Sequence, residues 1–431
     1  MVVHKHNGVH ADHERQSPHS EDEFFEDPAE QEGVDETRLR IAKEYLRTIA
    51  GTDSNSIGKR KRVAEDFDKP QVADATFQLD TPIFFPRGHQ GTCTSACVRR
   101  DQTRVYSGGK DCVVYEWDVE SRKKVRFSGS PRDFACGGHH AEVLDVAFCE
   151  ALQLLVSVGG DSLVRVWDPR VFTNRCIREL AGHQRGARIT GVVVDGTNVF
   201  TTGTDKLVKL WDLQHFACLD TYLGHTEAVT CIDLNQTSRP ITGSADKSAR
   251  LWKTTQDSHL LFAKHTSSVD AVCALQSSAY ASGGMDGHLH LWSAESSKPK
   301  ASFENAHGGM WISSLGCVRH SNYLLSGSSD GYLRSWKIRE KSAGVTGDDV
   351  IKQQKLDSGA ATACNGRRNK SVQTKQTLVP QEAIPVAGVV NQIVESESFF
   401  ICAVGKEPRL GRWETLRSCK NGICLVRKRH D

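Results

Sequence analysis

The chain has 431 residues, of which 38% are hydrophobic, and its 55 basic and 53 acidic side chains leave a formal net charge of only +2. This length exceeds that of an ordinary compact domain, so several domains or an array of repeats are expected. No apolar run approaches the ~20 residues of a membrane span, and the polar N-terminus lacks a secretory signal. We therefore expect an intracellular protein without a membrane partner. Its 14 cysteines should then be reduced.

The first part of the chain differs in composition from the rest. Residues 1–35 form an acidic tail of low hydrophobicity, for which disorder is expected. Residues 36–51 have apolar positions at helical spacing, which predicts an amphipathic helix that docks either on the rest of this chain or on a partner. These positions are Leu39, Ala42, Leu46 and Ile49.

Residues 52–74 form a basic linker. It contains four consecutive basic residues: Lys59, Arg60, Lys61 and Arg62. Such a run is typical of a nuclear-targeting signal or of a patch that contacts phosphates, and a merely solvated linker is the alternative.

Four residue types recur in a fixed register through six copies of a repeat with a period of 40 to 50 residues. The tryptophans are Trp117, Trp167, Trp211, Trp252, Trp292 and Trp336. Six residues before each lies an aspartate: Asp111, Asp161, Asp205, Asp246, Asp286 and Asp330. Four residues before each aspartate lies a hydroxyl residue: Ser107, Ser157, Thr201, Thr242, Ser282 and Ser326. A histidine lies 27 to 29 residues before each tryptophan: His89, His139, His183, His225, His265 and His307. Short β-branched stretches between them predict strands joined by tight turns.

This register resembles the WD-repeat family, whose members fold as β-propellers of four-stranded blades. In that family the four residue types hydrogen-bond to one another within a blade, and the resemblance implies the same contacts here. Buried imidazole, carboxylate, hydroxyl and indole groups each lose free energy unless they are partnered. Because the set occurs once per blade, we assign it a structural role rather than a metal-binding or catalytic one, and we expect no cofactor.

The fold class that follows for residues 75–428 is all-β, a seven-bladed WD40 propeller preceded by a disordered, partly helical arm. A seventh blade is predicted from apolar stretches at 384–390 and 399–404 and from Trp413, although its turn lacks the aspartate. Burial between adjacent sheets supplies most of the stability of such arrays. We therefore expect the altered turn to be free to face a ligand.

Two further segments bear on how the ring is built. Residues 338–382 are polar and rich in Gly, Ser and Lys, which predicts a flexible insertion. Closing the ring requires one strand from a distant part of the chain, and residues 75–85 and 422–428 are both candidates.

Three stretches carry a narrower resemblance. RLRIAKEYLRTI ahead of the first repeat, AHGGMWISSLGCV at the sixth, and IPVAGVVNQIV with AVGKEPRLGRW in the seventh resemble the WD-repeat proteins of the U3 small nucleolar ribonucleoprotein. This resemblance implies a protein of the nucleus and nucleolus that binds U3 small nucleolar RNA at its box B/C element. It would do so beside a small kink-turn-binding protein and other proteins of the small-subunit processome, in pre-ribosomal RNA processing and small ribosomal subunit biogenesis.

Recognition of a structured RNA depends on phosphate contacts from Lys and Arg. The turns that carry the aspartates, and the loops before the histidines, offer a set of basic candidates. These are Lys110, Arg185, Arg188, Lys206, Lys247, Lys406, Arg409 and Arg412. We expect them to line one basic face.

The competing interpretation is a WD40 protein–protein scaffold, such as a ubiquitin-ligase substrate adaptor or a chromatin platform, with apolar residues on the binding face. Catalysis has little support. The Gly-x-Ser-x-Gly pattern at Gly327–Gly331 lies in a repeat turn rather than at a strand-to-helix elbow, and no phosphate-binding loop or His-Glu-x-x-His motif is present. We therefore predict no catalytic residues.

Overall fold

The computed structural model describes residues 77–85, 88–127, 129, 137–171, 176–234, 238–256, 258–276, 278–318, 321–341, 375–411, 415–416 and 419–430. The predicted acidic tail, amphipathic helix and basic linker with Lys59–Arg62 lie outside these residues, as do Arg412 and Trp413.

The described residues form 29 strands arranged in seven antiparallel sheets. Before the first blade come β1 (Phe77–Leu79) and β2 (Ile83–Phe84). Blade one contains β3 (Cys93–Val98), β4 (Arg104–Gly109), β5 (Val114–Asp118) and β6 (Lys124–Arg126). Blade two contains β7 (Val143–Cys149), β8 (Leu154–Gly159), β9 (Leu163–Trp167) and β10 (Cys176–Ala181). Blade three contains β11 (Ile189–Asp195), β12 (Asn198–Gly203), β13 (Val208–Asp212) and β14 (Ala217–Tyr222).

The later blades follow the same order. Blade four contains β15 (Val229–Leu234), β16 (Pro240–Ser244), β17 (Ser248–Lys253) and β18 (Ser258–Ala263). Blade five contains β19 (Val269–Gln276), β20 (Ala279–Gly284), β21 (Leu289–Ser293) and β22 (Ser296–Phe303). Blade six contains β23 (Ile312–Cys317), β24 (Tyr323–Ser328), β25 (Tyr332–Lys341) and β26 (Lys375–Pro385). Blade seven contains β27 (Val389–Glu395), β28 (Phe399–Gly405) and β29 (Gly422–His430). The expected all-β, seven-bladed propeller is confirmed.

Both candidate closing segments belong to blade seven. β29 pairs with β28 as the third strand, and β1 and β2 pair with β29 as the outermost strand. The first described strands therefore complete the last sheet and close the ring. Trp413, from which the seventh blade was predicted in part, lies outside the described residues, and the third strand of this blade begins only at Gly422.

The long hairpin of blade six includes both ends of the segment predicted to be flexible. β25 extends to Lys341 and pairs with β26 from Lys375 onward, with Lys341 opposite Lys375. Residues 338–341 and 375–382 are thus strand, while residues 342–374 lie outside the described residues.

The core lies between neighbouring blades. Trp292 of blade five packs in one cluster with Ile241 and Leu251 of blade four, and Trp117 of blade one packs with Ile401 and Leu425 of blade seven. The innermost strands add hydrogen bonds from blade to blade. The Asn391 amide of blade seven donates to the Cys93 carbonyl oxygen of blade one at 2.9 Å, which links the two ends of the ring.

Candidate nucleic-acid interface

The structure brings the predicted His, Ser/Thr, Asp and Trp side chains together in each of the first six blades. The His Nδ1 atom lies 2.8–3.1 Å from the Asp carboxylate, and the His Nε2 atom lies 2.6–2.9 Å from the hydroxyl oxygen. The Trp indole donates to the same hydroxyl at 2.7–2.9 Å. We call this chain of hydrogen bonds the relay.

The relay constrains the hydrogen-bond roles of its members. A carboxylate only accepts hydrogen bonds, so the histidine Nδ1 donates, and in a neutral ring the Nε2 accepts from the hydroxyl. Burial raises the pKa of Asp161, but the hydrogen bond and charge of His139 outweigh burial and lower that pKa to about 2. The carboxylate stays ionised at neutral pH, which is consistent with a structural role.

The relay also shapes the turn between the second and third strands of each blade. The residue after each relay aspartate has a positive φ, between 63° and 79°. These residues are Cys112, Ser162, Lys206, Lys247, Gly287 and Gly331. The six turns therefore present the residue after the aspartate in one repeated backbone conformation. We call the end of the ring that carries these turns and the inter-blade loops the relay face.

Blade seven replaces the relay with apolar contacts. In blade six Leu324 pairs with Trp336 and lies two residues before Ser326. In blade seven, Phe400 takes the place of Leu324, on the side of the sheet that packs against blade six. Phe400 pairs with Val426 and lies two residues before Cys402. Val426 therefore occupies the tryptophan position and Cys402 the hydroxyl position, and both are fully buried. Lys406, four residues after Cys402, occupies the aspartate position.

The loop after β28 turns into the ring, which contradicts the expectation that it is free to face a ligand. The Lys110 ammonium donates to the carbonyl oxygens of Pro408 at 2.7 Å and Gly411 at 2.6 Å, and it pairs with Glu407 at 3.2 Å. The Arg188 guanidinium donates to the Leu410 carbonyl oxygen at 3.3 Å. Contacts from blades one and three thus hold residues 407–411, which we call the inner loop.

Arg409 of the inner loop faces two buried carboxylates. Burial raises the pKa of Asp145 on β7 and of Asp270 on β19, and the positive charge of Arg409 opposes both shifts. These strands belong to blades two and five, so Arg409 lies near the axis of the ring. Its positive charge there compensates the two buried carboxylates and is not presented to a ligand.

The eight basic candidates consequently divide into groups. Arg185, Lys206 and Lys247 are exposed on the relay face, and none of them has an ion pair among the described residues. Lys406 is half-buried on the same face. Lys110, Arg188 and Arg409 make the internal contacts described above, and Arg412 lies outside the described residues.

Sequence reasoning missed a further exposed lysine on this face, Lys264. It directly precedes His265 of the relay, in the loop between blades four and five, and its position in the repeat register could have identified it. With Arg185, Lys206 and Lys247 it forms what we call the basic sector, which spans blades three to five. One exposed acid, Glu227, interrupts it.

An apolar sector adjoins the basic one on the relay face. Met285, Met310 and Tyr332 are 45%, 41% and 42% exposed, in the turns and loop of blades five and six. The Met310 backbone lies against Gly287 in the blade-five turn. A Cβ atom at Gly287 would be only 3.1 Å from the Met310 carbonyl oxygen.

Within the described residues, no group of three or more His, Cys, Asp or Glu side chains is arranged to hold a metal ion. The same part of the chain has no helix long and apolar enough to cross a membrane.

The sheet arrangement and the relay together define a β-propeller of the WD-repeat class. The model of the WD domain, G-beta repeat family matches residues 80–118, 132–168, 174–212, 216–253, 257–293 and 297–337, and the chain belongs to this family. The matched segments correspond to the six blades that carry the relay.

Comparison with known proteins relates the chain to U3 ribonucleoprotein components. It is 24% identical over 459 residues to the U3 snoRNP-associated protein-like EMB2271 of Arabidopsis thaliana, covering 94% of this chain and 87% of the relative. It is 26% identical over 439 residues to the human U3 small nucleolar RNA-interacting protein 2, covering 92% and 82%. Its fold is similar to that in the crystal structure of RRP9 WD40 repeats, with a TM-score of 0.68 at 24% identity, covering 82% of this chain and 100% of that one.

Proposed function

We propose that this protein is a non-catalytic RNA-binding scaffold of the U3 small nucleolar ribonucleoprotein. It binds U3 small nucleolar RNA at the box B/C element, together with a small kink-turn-binding protein and other proteins of the small-subunit processome. It acts in the nucleolus, in pre-ribosomal RNA processing and small ribosomal subunit biogenesis.

The observation that carries this proposal is the basic sector, considered with the names of the relatives. Arg185, Lys206, Lys247 and Lys264 project from successive turns and loops of one face and have no ion-pair partner among the described residues. Cations held at the spacing of a rigid repeat suit the phosphates of a structured RNA, which is recognised mainly by shape and backbone. The human relative is named for its interaction with U3 small nucleolar RNA.

The proposal is tested with the full chain, a U3 RNA fragment that contains box B/C, and the small kink-turn-binding protein. Arg185→Gln, Lys206→Gln and Lys247→Gln should each weaken binding and lower the slope of log affinity against log salt by about one. Fluorescence anisotropy over a salt series measures both quantities.

Arg239→Gln is the matched control, because Arg239 is an exposed arginine on the opposite face of blade four. We expect it to change neither affinity nor slope. A triple variant of the basic sector that binds the RNA with unchanged affinity and slope would refute RNA binding by this sector.

The apolar sector favours a second candidate function, that of a protein–protein scaffold such as a substrate adaptor or chromatin platform. Exposed Met and Tyr side chains are typical of protein-binding surfaces. A pure adaptor would show no association with the RNA and the kink-turn-binding protein, and Met285→Glu with Met310→Glu would abolish its activity. If the chain binds RNA and this double variant binds it equally well, the apolar sector is separate from the RNA site.

A further inference from the structure

A cavity of about 310 Å³ lies where the ring closes, between blade one and blade seven. It opens on the face opposite the relay face. The turns on that face join the first strand of a blade to its second strand, and the third strand to the fourth. Its floor is apolar and consists of Ile83, Phe85, Phe399 and Leu425, and its rim carries Arg122 and Arg427. We call it the seam pocket.

The two rim arginines are free cations. Neither guanidinium has an ion pair or hydrogen bond within the described chain, whereas Arg429 on the same strand pairs with Asp80 at 2.5 Å. Three acids lie on this face near the pocket: Asp118 accepts from Ser121, Glu397 accepts from the Gln102 amide at 3.1 Å, and Glu120 is exposed two residues before Arg122. Among the described residues, none of them pairs with Arg122 or Arg427.

Most of the floor side chains also belong to the hydrophobic core. Phe85, Phe399 and Leu425 are buried in the core cluster that joins blades one and seven. A ligand group inserted between the arginines would therefore contact apolar carbon below and two guanidinium groups above.

We propose that the seam pocket binds an acidic segment of a partner protein that carries one bulky apolar side chain between carboxylates. The apolar side chain would fill the floor, and the flanking carboxylates would pair with Arg122 and Arg427, whose planar guanidinium groups match carboxylate geometry. A nucleotide fits less well, because Ser398 is the one uncharged polar side chain of the lining and its hydroxyl already donates to Gln102, which leaves little to pair with the polar edges of a base. This site is distinct from the basic sector, so its occupant is a second partner.

The test uses the full chain and a fluorescein-labelled peptide, Asp-Glu-Phe-Glu-Asp, followed by anisotropy at two salt concentrations. We expect saturable binding that weakens about tenfold in Arg122→Gln and about tenfold in Arg427→Gln, because each variant loses a charge-assisted hydrogen bond. Replacing the central Phe of the peptide by Ala should weaken binding by a similar factor, because the floor is then left unfilled.

Arg239→Gln serves again as the control on the same face and should bind the peptide as the wild type does. Both pocket arginines are exposed, so these variants should keep the wild-type melting temperature. The proposal is overturned if the peptide shows no saturable binding up to about 1 mM, if both arginine variants bind it unchanged, or if a short oligouridine displaces it at equal concentration. RNA binding through the basic sector is measured separately and is unaffected by any of these results.

Discussion

The guanidinium of Arg409 donates a hydrogen bond of 2.5 Å to the backbone carbonyl oxygen of Thr230. Arg409 follows the second strand of blade seven, whereas Thr230 lies on the innermost strand of blade four. This contact and the two buried carboxylates of Asp145 and Asp270 make Arg409 an electrostatic link across the ring. The loss of the relay in blade seven frees its turn for this internal role.

Replacing Arg409 by Gln should lower the free energy of unfolding by about 2 to 4 kcal/mol at pH 7, because two buried carboxylates lose their counter-charge. The pKa of Asp145 and of Asp270 should then rise further above the unfolded value. A carboxyl with a raised folded pKa contributes a stabilisation that is fully present below the unfolded pKa and is lost as pH rises through the folded pKa. The difference from wild type should therefore shrink as pH falls from 7 toward 4, as measured by urea denaturation.

Arg188→Gln is the matched control, since Arg188 holds the same inner loop but pairs with the half-buried Glu142 at 2.8 Å. It should cost less than about 1 kcal/mol, with little dependence on pH. An Arg409→Gln variant whose stability loss is constant from pH 7 to 4 would contradict the assignment.

The sequence made the blades and the relay predictable because both depend on local register. A hydroxyl residue four positions before an aspartate, and a tryptophan six positions after it, become neighbours through one hairpin, as Ser107, Asp111 and Trp117 do. The turn between the strands brings them together, so no long-range information is needed.

The inner loop was not predictable in this way. The roles of Lys110, Arg188 and Arg409 depend on carbonyl oxygens and carboxylates contributed by other blades, up to 301 residues away in sequence. The register of blade seven was not predictable either, because the position that a tryptophan occupies in the other six blades holds Val426. Apolar residues are common throughout the strands, so one at that position does not mark the end of a third strand as a tryptophan does.

Ser326→Ala and Cys402→Ser should both destabilise the protein, although the two changes have opposite polarity. Ser326 joins Trp336 and His307, so its loss leaves two buried polar groups unpaired, at a cost of about 2 to 4 kcal/mol. Cys402 lies in an apolar cluster, so a hydroxyl there costs about 1 to 3 kcal/mol. Urea unfolding midpoints measure both. A Cys402→Ser variant as stable as wild type would mean that blade seven still offers a polar partner at this position.

His290 should make stability depend on acid pH. Its ring is buried, its Nδ1 lies 2.8 Å from the Ser302 hydroxyl, and its centroid lies 4.5 Å from that of His265. Burial first, then the charges of His265, His288 and Lys264, lower the pKa of His290 to about 3, with Asp286 opposing.

The unfolded chain therefore takes up a proton below about pH 6.5 that the folded chain excludes, and stability falls by at most about 1.4 kcal/mol per pH unit between pH 6.5 and 3. His290→Gln should make the melting temperature less dependent on pH between 6.5 and 5. The His215→Gln variant should stay close to the wild-type curve, because its ring is 77% exposed and its pair with Asp212 lies at the surface, where such pairs contribute little to stability. If the His290 variant lost stability on acidification as steeply as wild type, the acid sensitivity would have to originate in other groups, such as His225, whose pKa burial also lowers.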